Sequence, residues 1–192
     1  MRALAYSNLI HEALDCCFPG ERSRNLWRID NLNDVWYLLI LSEKEPDFSQ
    51  FCEKFSYSKE SWETKDYTPL LERLQNDTVW KFRLTANPTV SRSHKKNNHG
   101  QIYAHITTEF QMKWLSDRSE KHGFKLYPDL FSVVECKWKH FRKKDTRPFS
   151  LLSVTYEGIL KITNSELFRN VMINGIGRGK AYGMGLLTVV RT

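Results

Sequence analysis

Apolar and polar positions along the chain repeat with two periods, one helical and one of strands. In SNLIHEALDCCF, residues 7–18, Leu9, Ile10, Ala13, Leu14 and Cys17 recur at helical spacing. The spacing predicts a helix capped by Ser7 and ended by Pro19 and Gly20. NLWRID and DVWYLLILS then predict two strands joined by a short turn at Asn31 to Asn33. From Pro46 to Trp62 no period stands out, and YTPLLERLQ suits one or two helical turns. TVWKFRLTAN alternates, with Val79, Lys81, Arg83 and Thr85 on one face and Trp80, Phe82 and Leu84 on the other. That is a half-buried strand, broken by Asn87 and Pro88.

TTEFQMKWLSDRSEKHGF predicts a second long helix, with Phe110, Trp114 and Leu115 on its core face. Thr108 and Gln111 fit a capping box, and Gly123 fits a stop. LFSVVECKWKHF and LLSVTYEGILKIT read as strands flanking the basic turn RKKDTRPFS. SELFRNVMING reads as a helix from about Ser165, and LLTVV as a closing strand. The order is helix, strands, helix, strands, helix, strand. It predicts an α+β fold of two small helix-on-antiparallel-sheet units. The expected seam lies between Asn87 and Gly100, dividing the chain into residues 1–90 and 91–192.

With 41% apolar and 13% aromatic residues in 192, the chain can bury a real core, which excludes wholesale disorder. It has no apolar run of about eighteen residues and no signal-peptide layout at its start, so a cytoplasmic protein with no membrane span is expected. Cys16, Cys17, Cys52 and Cys136 form no CxxC pair and are expected to stay reduced. The six histidines show no ligand spacing, so neither a metal nor another cofactor is expected.

Charge changes the picture more. The net charge is +7, but Glu43–Glu72 holds eight acids and four lysines. That stretch is at −4, leaving +11 for the remainder. KFRLTANPTVSRSHKK, residues 81–96, has five basic residues and no acid, and KWKHFRKKDTR, residues 137–147, has six against one. Two such runs in an aromatic-rich chain point to a polyanionic partner.

GIGRGKAYGMGLLTVV, residues 175–190, places five glycines beside Arg178 and Lys180. A dinucleotide fingerprint needs strand, glycines, helix; here the order is helix, glycines, strand. The segment does not fit a Walker A loop either. What it offers is exposed backbone with cations beside it, which suits a polynucleotide phosphate. A tight structural turn is the other reading.

GIGRGKAYGMGLL closely resembles the C-terminal glycine-rich signature of the CRISPR-associated RNA endonucleases of the repeat-associated (RAMP) superfamily, the nearest type being the CasE subunit of type I-E Cascade. KFRLTANPTVSR resembles that family's RFRLRANP strand and turn. TTEFQMKWLSDRSEKHGFKL resembles its TPAEKVAWL…GGF helix, and YEGILKIT its FEGRLEV strand. The matches run in the same order over most of the chain.

The resemblance implies two tandem ferredoxin-like units. It also implies metal-independent cleavage of precursor CRISPR RNA at the base of a repeat hairpin, by attack of an RNA 2′-hydroxyl. The product would stay bound, with other Cascade subunits as partners. The family's catalytic histidine matches His11 here. Its basic hairpin matches Arg142, Lys143 and Lys144, and an arginine on its second helix matches Arg118. Gly175, Gly177, Arg178 and Lys180 fall in its glycine loop. Arg92, Lys95 and Lys96 are added from the first basic run as RNA contacts. His11 lies at the edge of its helix's apolar stripe, with Asp15 one turn on to orient its ring.

The chain departs from the family at three places. Asn8 stands where relatives have a tyrosine, and Cys16 where a basic residue is seen. MRALAYS does not read as the usual first strand, so the N-terminal sheet is expected to lack it. Two alternatives follow: a weak or inactive hairpin-binding cap of the same complex, and a generic basic domain with a structural glycine turn.

Overall fold

The computed structural model describes residues 14, 17–18, 25–55, 62–92, 101–141 and 147–192. Strand β1 (Leu26–Leu32) pairs antiparallel with β2 (Val35–Leu41). The turn lies at Asn33 and Asp34, with φ of 52° and 64°. A two-residue hairpin turn needs left-handed backbone, which Asn and Asp tolerate better than most residues. The strand therefore runs through Asn31 and Leu32, beyond the turn expected from sequence. Helix α1 (Ser49–Phe55) falls in the stretch without a clear period. Helix α2 (Thr68–Arg73) starts where Asp66 Oδ1 accepts from the Thr68 N–H at 2.9 Å.

Beyond α2 come β3 (Val79–Ala86) and a hairpin of β4 (Thr89–Arg92) and β5 (Gln101–Ala104). Next are α3 (Thr108–Ser119) and β6 (Phe124–Phe141), with a short 3-10 turn at Glu120–His122 between them. The chain continues through β7 (Phe149–Ile162), α4 (Ser165–Asn174), a 3-10 turn at Lys180–Tyr182 and β8 (Leu187–Arg191). The sheet order is β6-β7-β3-β8. With the β4–β5 excursion set aside, this is β-α-β-β-α-β with the first strand central, the ferredoxin-like arrangement.

That topology corrects the expected division at 90/91. The sequence reading puts β3 in the N-terminal unit, but β3 pairs with β7 from Val79–Lys161 to Ala86–Val154 and with β8 on its other side. The Asn87-Pro88 breaker ends the strand without specifying which sheet the strand joins. The C-terminal unit starts at β3.

The period-two pattern of β3 fulfils its expectation. Trp80, Phe82 and Leu84 join Trp114, Leu115, Tyr156, Phe168, Met172 and Leu187 in one core between the sheet and helices α3 and α4. Each such side chain contributes about 1.5–3 kcal/mol on burial. Phe110, expected beside them, is 52% exposed instead. The expected capping box is also replaced. Thr107 is the N-cap, and Gln111 Nε2 donates to the carbonyls of His105 and Ile106 at 2.9 and 3.0 Å. Gly123 does end the helix, at φ 76°.

The expected first helix and missing first strand lie outside the described residues, apart from Leu14 and Cys17, both buried. Among the described residues no helix is long and apolar enough to cross a membrane.

Candidate nucleic-acid interface

Strand β1 joins the two units, and Arg28 is its main fastening. The side chain is 2% exposed, so each of its N–H groups needs an acceptor. It donates to both Asp30 carboxylate oxygens at 2.7–3.1 Å, to the carbonyls of Arg83 and Leu186 at 3.0 and 2.8 Å, and to Thr188 Oγ1 at 2.8 Å. Arg83 Nε stands 3.3 Å from Asp30 and its guanidinium pairs with Glu157. A planar fork with five donors is what makes so many simultaneous bonds possible.

The glycine loop lies against the same strand. A Cβ on Gly183 would come within 2.6 Å of the Trp27 ring, and one on Gly175 within 3.0 Å of Leu26. A Cβ on Gly177 would meet the Trp114 ring of α3 at 3.0 Å. The glycines are therefore needed first for close packing against two tryptophans and a leucine. Gly175 also uses its N–H on the Val171 carbonyl at 2.7 Å. Its N–H is therefore already paired within the fold, and its lack of a Cβ serves packing. Gly177 and Arg178 are exposed, and Arg178 is bridged to buried Asn87.

Trp27 also packs with Leu14. Leu14 is three residues past His11 in the sequence, and one tryptophan connects Leu14 to the glycine loop. His11 itself lies outside the described residues.

Cations collect at the other side of the loop. Arg118 stacks over the Trp114 ring at 4.3 Å and donates to the Trp114 carbonyl at 3.1 Å. Lys180 reaches back to the Asn174 carbonyl at 2.5 Å. Their joint field is felt by His122, whose pKa is lowered by burial first and then by Arg118, Lys180 and Lys121. His105 is lowered in the same way, by burial, then Arg118, then Arg92. Arg118 thus disfavours the charged form of both histidines, and Arg92 that of the second. Fixed cations in this arrangement attract phosphate and stabilise charge developing on it.

The strand ends on either side of the basic turn, at Phe141 and Phe149, reach Tyr182 beside the same loop. Arg142, Lys143 and Lys144 lie outside the described residues, as do Lys95 and Lys96. The residues flanking the turn are anchored, though. Phe141 and Phe149 stack on each other at 5.3 Å, and both pack on Tyr182, at 4.6 and 5.3 Å.

Of the expected site residues, the structure brings together Arg118, Gly177, Arg178 and Lys180, with Arg92 at their margin. The sequence reading missed Arg28, Trp27, Tyr182 and His122. A partial signal existed for the tryptophan and arginine of α3, since Trp114 and Arg118 are spaced i, i+4. Among the described residues, no group of three His, Cys, Asp or Glu side chains could hold a metal ion.

Comparison with known proteins places this geometry. The sequence profile of the family described as CRISPR associated protein matches residues 1–191. The chain is 29% identical over 191 residues to the CRISPR-associated endoribonuclease Cse3 of Thermus thermophilus, covering 94% of this chain and 86% of that one. The structure of Thermus thermophilus Cse3 bound to an RNA representing a pre-cleavage complex matches with a TM-score of 0.79 at 26% identity, covering 98% of this chain and 91% of that one. A chain of a CRISPR RNA-guided surveillance complex, pre-nicking, shares the fold with a TM-score of 0.72 at 22% identity, covering 97% and 91%. A glycine loop wedged between two units, a cationic rim around it and a profile match over nearly the whole length agree: the chain belongs to the CRISPR-associated protein family.

Proposed function

We propose that this protein is a metal-independent endoribonuclease that cuts precursor CRISPR RNA at the base of the repeat hairpin. It then stays on the mature RNA in the cytoplasm as a subunit of a Cascade-type surveillance complex. The observation that carries the reading is the contact chain Leu14–Trp27–Gly183. It links Leu14, three positions after His11 in the sequence, to the loop whose other side holds Gly177, Arg118 and Lys180. Similarity to an endoribonuclease over most of both chains supports the same reading.

The 2′-oxygen attacks the neighbouring phosphorus, and the bond from phosphorus to the 5′-oxygen breaks. One product ends in a 2′,3′-cyclic phosphate and the other in a 5′-hydroxyl. His11 takes the 2′-hydroxyl proton or supplies one to the leaving oxygen, a task for which an imidazole is suited near neutral pH. The cations of the interface and the turn Arg142, Lys143 and Lys144 hold the stem through its phosphates, the feature by which double-stranded RNA is mainly read.

The test is cleavage of a repeat hairpin in the presence of EDTA. His11→Ala is expected to slow cutting by about 10²–10⁴-fold without loss of hairpin binding. A 2′-deoxy substitution at the cut site is expected to abolish it. Tight hairpin binding with no cutting by the wild type would replace the enzyme by a binding cap, as Asn8 and Cys16 would then require.

A further inference from the structure

A line of rings and cations runs away from the glycine loop across α3 to the β4–β5 hairpin. Trp114 lies on Gly177 at one end, with Arg118 over its ring. Phe110 stands one turn before Trp114 on the same helical face. The His105 ring stacks on Phe110 at 5.8 Å and 26°. Tyr103 is two residues before His105 and carries Arg92 over its ring at 5.8 Å. Core packing does not account for the outer part of this line, since Phe110 is 52% exposed and Tyr103 38%. Ile106 beside them is 71% exposed. The acids nearby are Glu109 and Asp117, and Asp117 is held by Lys113 at 2.8 Å.

We propose that the line Arg92, Tyr103, His105, Phe110 is a stacking platform for unpaired nucleotides that flank the hairpin. It rests on the proposed function, because the stem must occupy the cationic end for its flank to reach the rings. Exposed rings with a guanidinium at each end suit single-stranded RNA: bases stack on the aromatic faces and phosphates meet Arg92 and Arg118. Every base has a π-face, so such a platform tolerates any flanking sequence. A protein partner covering the same apolar face would have no comparable use for cations at both ends.

The experiment compares three labelled RNAs by anisotropy: the bare hairpin, and the same hairpin with a short run of unpaired adenines on its 5′ or its 3′ side. One flanked RNA is expected to bind the wild type about ten-fold more tightly than the bare hairpin. Phe110→Ala and Tyr103→Ala cancel that gain and leave the bare hairpin unchanged, and Phe110→Trp retains it. Equal affinity for all three RNAs overturns the platform, and is the result expected if a protein occupies this face. An abasic flank that binds as well as the adenine flank also overturns it, since phosphates alone would then be read.

If the bare hairpin is neither bound nor cut, the proposed function fails. The platform is then judged on free oligoadenylate. Binding that Phe110→Ala removes supports it, and no binding, or binding indifferent to Phe110, overturns it.

Discussion

The C-terminal unit closes its core mainly with its own residues: Trp80, Phe82, Leu84, Trp114, Tyr156 and Phe168 lie between one four-stranded sheet and two helices, with Leu74 added from the segment before β3. The β1–β2 hairpin that follows the His11 segment has a small cluster around Leu14 and Trp27, and leaves Leu32, Val35, Trp36 and Tyr37 about half exposed. What anchors β1 is external: five Arg28 donors, three of them reaching Arg83, Leu186 and Thr188 of the other unit, and two close approaches to the glycine loop. The unit that binds RNA in the proposed reading therefore supplies most of its own core. Strand β1, which follows the segment that cuts in that reading, is held in place by its neighbour. A residue far from the phosphate can set the cutting rate by moving β1 against the loop, without touching the RNA surface.

The largest effect is expected at Arg28. Arg28→Ala leaves Asp30, 4% exposed, as a buried carboxylate without its main partner, costing about 3–5 kcal/mol in thermal or urea unfolding. The double variant Arg28→Met with Asp30→Leu is expected to recover most of that loss. An Arg28→Ala protein as stable as the wild type would break the comparison, since the joint would then be held by something else.

The glycine loop sharpens it. Gly183 and Gly179 have similar positive φ, 75° and 84°, so a Cβ strains both. Only at Gly183 does that Cβ run into Trp27, at 2.6 Å; at Gly179 the nearest atom is the flexible Met184 sulfur at 3.1 Å. Gly183→Ala is expected to cost about 1–3 kcal/mol more than Gly179→Ala and to slow cleavage with hairpin affinity retained. Equal effects on cleavage would show that Trp27 is not the link.

The smallest effect is one of pH. His122 is held below its ordinary value of 6.5 by burial and by Arg118, Lys180 and Lys121. Bound phosphate offsets those cations and raises the pKa, so the complex takes up a proton that the free protein resists. Affinity for the hairpin is therefore expected to rise about three-fold as pH falls from about 7.5 to about 6, with most of the rise absent in His122→Gln. The remainder belongs to His105, lowered by burial, Arg118 and Arg92. The free fold responds with the opposite sign. With both pKa values depressed, the stability from neutral His122 and His105 is present above 6.5 and is lost as pH falls through the folded values.

Much of this arrangement can be read from short-range pattern. The alternation of residues 79–86 identifies a strand and its core face, Gly123 marks the stop of the 3-10 turn that follows α3, and residues 165–174 carry the helical period of α4. The glycine signature and the two basic runs point to an RNA partner. These features depend on neighbours within a turn or a strand, and a sequence displays such neighbours directly. The sheet that β3 joins, the packing of Gly183 on Trp27 and the bonds from Arg28 to Leu186 depend on contacts between residues 68 to 158 positions apart. No local pattern encodes those partners. They exist only after chain closure has brought the units together, which is why Phe110 looks like a core residue in the sequence and stands half exposed on the surface.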